Sequence, residues 1–289
     1  MAIKISDTDL IVNADGSVYH LNLKPHDISD IILTVGDPGR VHRISQHFDK
    51  VEFEMNKREF ITHVGTYKGK RLTVLSTGMG TDNVEIVMQE LDALVNINLK
   101  TRLPNEELKK LKIIRVGTSG SIQEDVRLGS HILSEYAIGI DPLMLYYPFE
   151  PTQFEKEVAT AFQKETKIPY PLYCARGSNE LIEAFRDLMP VGNTLTCNGF
   201  YAPQGRQLRV QTQYSHLVNT YNYFHYKDFW LTNLEMETAA YYGLGRVLGH
   251  ETLSLNAILA NRVRNKFSKD PNKVVDALIK KVLDRVTQL

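Results

Sequence analysis

The chain has 289 residues, 43% of them hydrophobic and 24% charged, which is enough to bury a large core within the size one α/β domain reaches. Lys plus Arg and Asp plus Glu both number 34, so no net basic field exists for nucleic acid or an anionic membrane, and any anion must be bound locally. Cys174 and Cys197 are too few for a disulfide framework or a four-thiolate zinc site. The N-terminus (MAIKISDTDLIVNADG) carries acidic residues and no apolar core, and no run of about 18 apolar residues occurs. A soluble, cytoplasmic protein is expected, read as one domain over 1–289 because no Gly/Ser-rich, Pro-rich or single-charge linker divides it.

In chain order, the first buried strand is predicted at 31–35. It runs into Gly36-Asp37-Pro38-Gly39-Arg40, where glycine permits close backbone approach and Arg40 offers a fork of donors to phosphate; an ordinary tight turn would read the same. A strand at 72–75 precedes a helix with Val84, Val87, Met88, Leu91, Leu94 and Val95 on one face, and Asp82 with Glu85 reads as its capping box. The charged segment 101–110 contains Pro104 and reads as a surface excursion. The strand at 113–116 leads into Gly117-Thr118-Ser119-Gly120-Ser121, read as a turn in which backbone amides, hydroxyls and Arg115 could form an anion nest.

Further strands are predicted at 132–138, 170–175 and 194–197. After them, Phe200-Tyr201-Ala202-Pro203-Gln204-Gly205-Arg206 sets aromatic faces beside an amide and a guanidinium that can read the edge of a planar base. The aromatic stretch 221–230 is most simply extra core or subunit interface. Strand alternation would send Glu235 and Glu237 to one side, where two buried carboxylates need donors such as ribose hydroxyls, or a structural ion pair with Arg. A last strand at 253–259 precedes a docked C-terminal helix with Asp270 as N-cap, Pro271 first, and a stripe from Val274 to Val286. Alternating strands and helices predict an α/β fold with a mixed, largely buried β-sheet flanked by helices, its ligands at the carboxyl ends of strands.

Several chemistries fail on spacing. Gly117 to Ser121 is not G-x-S-x-G, and neither a P-loop nor H-E-x-x-H occurs, since His250-Glu251 is followed by Leu253 and Ser254. GMGTDN at 78–83 lacks the third glycine of a dinucleotide fingerprint.

Taken in order, GDPGRV at 36–41, KREF at 57–60, STGMG at 76–80, RVGTSGSI at 115–122, FYAPQGR at 200–206, NLEMET at 233–238 and ILANR at 258–262 resemble the nucleoside phosphorylase-I family, and FYxxQxR resembles its uridine phosphorylase branch. The resemblance implies phosphorolysis of uridine, and of other pyrimidine nucleosides if accepted, to uracil and ribose 1-phosphate. It implies phosphate binding by Gly36, Arg40, Arg115 and Thr118, with Arg58 supplied by a neighbouring subunit. Met236 and Glu237 would hold the ribose, with Glu235 beside them and His20 reaching across from the partner chain. Gln204 and Arg206 would bind the uracil edge, Phe200 would pack on it and Arg262 would support it from behind; Arg115, Gln204 and Arg206 would carry the catalysis. The implied assembly is a homo-oligomer built from dimers with shared sites, with nucleoside and phosphate as its small-molecule partners. No organic cofactor or metal is expected, and phosphate is a co-substrate.

The resemblance breaks at Thr81-Asp82-Asn83, where many bacterial uridine phosphorylases read Gly-Pro-Ser and hold potassium with a Glu at the position of Glu59; this argues against a monovalent-cation site. Pro203 and Gly39 also depart from the family pattern. Purine-cleaving relatives place an acid where this chain has Asn261, and Asn cannot protonate N7, which disfavours a purine nucleoside phosphorylase. A nucleosidase would not need Arg40, Arg58 and Arg115 together. A noncatalytic nucleoside or phosphate sensor on the same scaffold is the rival of another class.

Overall fold

The computed structural model describes residues 4–214 and 216–289; Met1 to Ile3 of the N-terminal stretch read above lie outside the described residues. In chain order the elements are β1 (Ile31–Val35), α1 (Pro38–Ser45), β2 (Lys50–Lys57), β3 (Phe60–Tyr67), β4 (Lys70–Ser76), α2 (Thr81–Asn96), β5 (Ile97–Asn98), β6 (Leu103–Pro104) and β7 (Lys112–Ser121). They continue with β8 (His131–Gly139), α3 (Gln153–Thr166), β9 (Tyr173–Arg176), α4 (Asn179–Phe185), β10 (Val191–Thr196), α5 (Leu217–Tyr223), β11 (His225–Tyr226), β12 (Phe229–Glu235), α6 (Thr238–Leu248), β13 (Glu251–Asn261), β14 (Lys266–Phe267) and α7 (Pro271–Val286).

One mixed sheet runs β11-β12-β10-β8-β13-β7-β1-β4-β3-β2, and β12 also pairs back onto β7. That extra pairing closes β7, β13, β8, β10 and β12 into a small barrel, because Leu234 meets Gly120 and Asn233 meets Ser121 in antiparallel register. The central strands are buried because they are nearly continuous β-branched and leucine runs: β1 is IILTV, with every residue buried, whereas the edge strand β2 is largely exposed. On one side Tyr241, Tyr242 and Leu244 of α6 pack with Val84, Val87, Met88 and Leu91 of α2. On the other, Leu278, Ile279, Val282 and Leu283 of α7 pack with Val41 and Ile44 of α1. The fold is the expected α/β arrangement of a mixed, buried sheet between helices.

Four local expectations change. The segment 117–121 is not a turn: β7 continues to Ser121, because β13 runs beside it and β12 crosses its end, giving every residue a ladder partner. Asp82 and Glu85 form no capping box. Gly80 is the N-cap of α2, at φ 94°, which favours glycine, while Glu85 accepts from the Tyr147 hydroxyl. The strand expected at 170–175 starts later and runs from Tyr173 to Arg176, and the one at 194–197 begins earlier and ends at Thr196. The hairpin of β2 and β3 had no counterpart in the predicted elements. Elsewhere Asp270 caps α7 by accepting from the Lys273 amide, as the sequence indicated. In the aromatic stretch Tyr221, Phe224 and Phe229 are core, whereas Tyr223 and Trp230 are exposed. Among the described residues no helix is long and apolar enough to cross a membrane.

Candidate active site

A cavity of about 920 Å³ opens where β1, β7, β12 and β13 end. It gathers all but two of the residues the resemblance implies.

At one end β1 stops at Val35, and Asp37 caps α1 by accepting from the Gly39 amide at 2.9 Å. Arg40 therefore sits in the first helical turn with its guanidinium buried. Nη1 donates to the Val116 carbonyl at 3.2 Å, Nε has no partner, and no carboxylate pairs with it among the described residues. Burial, reinforced by the charge of Arg115, pulls its pKa down to about 10, so it stays charged at neutral pH. A buried cation with an unused donor is half of an anion site. Gly36 and Thr118 line the same end.

In the middle lies Arg115, whose Nη2 donates to Glu237 at 2.5 Å and approaches Glu235 at 3.1 Å. Burial opposes its charge, but the two carboxylates outweigh burial and hold its pKa above the ordinary value. The guanidinium lies over Gly117, where a Cβ would fall 1.8 Å from Nη1. Glu237 is the N-cap residue of α6, and its Oε1 accepts from the Gly80 amide at 2.9 Å, tying the start of α2 to the site. Glu235, expected beside the ribose-holding pair, lines the cavity and takes the Thr196 hydroxyl and the amides of Glu237 and Thr238, so it braces α6 and Arg115. Burial, then the charge of Glu237, raise the Glu235 pKa despite the opposing effect of Arg115. Met236 lines the cavity between them.

The far end is a donor-rich slot. A 3-10 turn, Ala202–Gln204, followed by left-handed Gly205 at φ 65°, folds Gln204 inward until it is buried. Arg206 donates to the Gln204 amide oxygen and to the Phe200 carbonyl, and its guanidinium lies 3.8 Å from the Phe200 ring centroid. Burial and then Arg262 lower its pKa to about 10; burial also lowers that of Arg262. Asn261 lies beside this slot but is spent on backbone: it donates to the carbonyls of Gln123 and Val126 and accepts from the Arg264 amide.

Arg58 and His20 do not line this cavity. Arg58 occupies the β2–β3 turn at φ 53° and stands over the Tyr19 ring, which contacts the His20 ring edge-on. His20 Nδ1 is tied to Glu90 at 2.7 Å. Glu59, by contrast, faces the cavity, and its carboxylate accepts from the Asn83 side chain at 3.3 Å. Sequence reasoning missed Met79 and Phe267, which are 75% and 65% exposed at the cavity mouth, and the buried pair Ser254 and Asn256 behind Arg115. The pair left a signal: two polar residues inside the apolar run LSLNAILA.

A buried cation, a carboxylate beside a fixed arginine, and a donor-lined slot, gathered at strand ends, define an α/β small-molecule site whose groups can serve an anion, a polyol and a planar ring. The chain belongs to the phosphorylase superfamily, whose family model matches residues 30–288. It is 30% identical over 263 residues to the uridine phosphorylase of Thermococcus kodakarensis, covering 90% of this chain and 83% of that one. A DeoD-type purine nucleoside phosphorylase of Streptococcus suis is 29% identical over 243 residues, covering 83% and 84%. Among solved structures, a Trypanosoma brucei nucleoside phosphorylase with uridine phosphorylase activity is similar at a TM-score of 0.89 and 28% identity, covering 97% of this chain and all of the other.

Proposed function

We propose that the protein phosphorolyses uridine to uracil and ribose 1-phosphate. The observation that carries the reading is the order of groups along one cavity: unpaired Arg40 at one end, Glu237 in the middle, Gln204 with Arg206 at the other. The C1′–N1 bond breaks as a phosphate oxygen bonds to C1′, and the base leaves with the electron pair. Phosphate held by Arg40, Arg115 and Thr118 offsets the electron-poor ribosyl centre, Glu237 accepts from ribose hydroxyls, and Gln204 with Arg206 takes the charge reaching the uracil oxygens. The uridine and purine relatives are nearly equal in identity, so the choice rests on the site: Asn261 has no proton to give N7, and its side chain is already spent. Two cysteines, both buried and unpaired, suit a cytoplasmic setting.

The test is uracil release from uridine with and without inorganic phosphate, beside thymidine, inosine and adenosine. Phosphate-dependent release is expected, and equal rates without phosphate would overturn phosphorolysis.

The same reading makes the enzyme an oligomer of dimers. Its support is that Arg58 and His20 both contact the Tyr19 ring, off their own chain's cavity, with no hydrogen bond to the Arg58 guanidinium among the described residues and His20 Nε2 left free. Mixing Arg58→Ala with Glu237→Ala, each nearly inactive alone, is expected to restore a sizeable share of activity. One site of every mixed dimer would carry both lesions and the other neither. No recovery after confirmed subunit exchange would place Arg58 in its own chain's site.

A further inference from the structure

Arginines facing carboxylates frequently form two parallel hydrogen bonds with one of them. Arg115 does not, although Glu235 and Glu237 both stand within reach. Only Nη2 meets the carboxylates; Nη1 is diverted, donating to Asn256 Oδ1 at 2.8 Å and to Ser254 Oγ at 3.3 Å. The amide orientation of Asn256 is fixed by chemistry, since arginine has donors only. Its oxygen must face Arg115, and its nitrogen donates to Ser134 Oγ at 3.0 Å and Ser254 Oγ at 3.2 Å. Asn256 is wholly buried in β13, on the strand next to Arg115, and does not itself line the cavity.

We propose that Asn256 is a positioning residue that, by taking Nη1, keeps Arg115 from collapsing into a bidentate pair with Glu237 and leaves one Glu237 face for the ribose. The proposal rests on the phosphorolysis reading. Without Oδ1, Nη1 keeps only its longer bond to Ser254 Oγ, and the charged carboxylates become the stronger acceptors in reach, so the guanidinium would pivot toward Glu237 and spoil the phosphate and ribose positions together.

The test compares wild type with Asn256→Leu and Asn256→Asp by uridine and phosphate kinetics, melting temperature and crystal structure. Asn256→Leu is expected to lose about ten- to a hundredfold in kcat/KM, the order seen when a group that orients a reactive side chain is removed. Its melting temperature should fall modestly, because the buried Ser134 and Ser254 hydroxyls lose a partner, while the variant stays folded at the assay temperature. Asn256→Asp keeps an acceptor for Nη1, and the Ser134 and Ser254 hydroxyls can turn to donate to it. It should keep more of kcat than Asn256→Leu while the added charge raises KM for phosphate. Wild-type kinetics in Asn256→Leu, equal losses in the two variants, or a loss explained by unfolding would overturn the proposal. Should Asn256→Leu not fold, Asn256→Ser, too short to reach Nη1, carries the same expectations. If the wild type itself released no uracil, the reaction reading would fail, and the variant's crystal structure alone would decide: Nη1 turned to Glu237 supports the positioning role, and Nη1 unmoved overturns it.

Discussion

Gly117→Ala is expected to cut uridine turnover at least about a hundredfold, as deep a loss as Arg115→Ala, the order that follows removal of one transition-state donor. Gly117 lies within β7 at an ordinary strand backbone, so alanine suits the chain locally. What it cannot share is the space of the Arg115 guanidinium: its Cβ would stand 1.8 Å from Nη1, 2.4 Å from Cζ and 2.9 Å from Nη2. The methyl therefore expels the guanidinium and leaves Glu235 and Glu237 without their counter-charge. Both variants should melt lower, since buried carboxylates then lack a partner, while their far-UV circular dichroism stays that of the folded protein. The decisive measurement is the double variant. If the glycine matters only through the arginine, Gly117→Ala combined with Arg115→Ala should be no slower than either alone. Near-wild-type turnover in Gly117→Ala, or additive losses in the double variant, would show that the guanidinium is not where the catalysis needs it.

That glycine also shows where the sequence stopped being readable. Apolar runs located β1, the first half of β7, the middle of β13, and α7 with its cap, because these depend on local periodicity and one side chain. The run Gly117 to Ser121 looked like a turn because two glycines normally break a strand; here β13 and β12 supply ladder partners, and one glycine serves to make room for a side chain two residues back. The same limit applies at Glu235. Alternation put it beside Glu237, yet only the tertiary fold reveals that it caps α6. That Phe200, Gln204 and Arg206 share one end of the cavity was readable since FYAPQGR is contiguous. The brace behind Arg115 was not, because Asn256 lies 141 residues from it in the chain.

Cytidine should be a poorer substrate than uridine by about four orders of magnitude, the discrimination reached when a site built for one hydrogen-bond pattern is offered its reverse. Arg206 can only donate, so the Gln204 amide must turn its oxygen to Arg206, which leaves Nε2 to donate into the slot. On the proposed reading uracil would fit this slot, O2 accepting from Gln204 Nε2, N3–H donating to the second lone pair of Oε1, and O4 accepting from Arg206. Cytosine reverses two of the three, setting a bare N3 against Oε1 and an amino group against a guanidinium. Gln204 cannot flip to adapt, because its nitrogen would then confront Arg206. Gln204→Ala should accordingly lower kcat/KM for uridine severely while KM for phosphate hardly changes, Arg40 being at the opposite end of the cavity. The preference should narrow in that variant, since the residue that penalises cytosine at N3 has gone. Cytidine turned over within tenfold of uridine by the wild type, or a large loss of phosphate affinity in Gln204→Ala, would dislodge Gln204 and Arg206 from the base site.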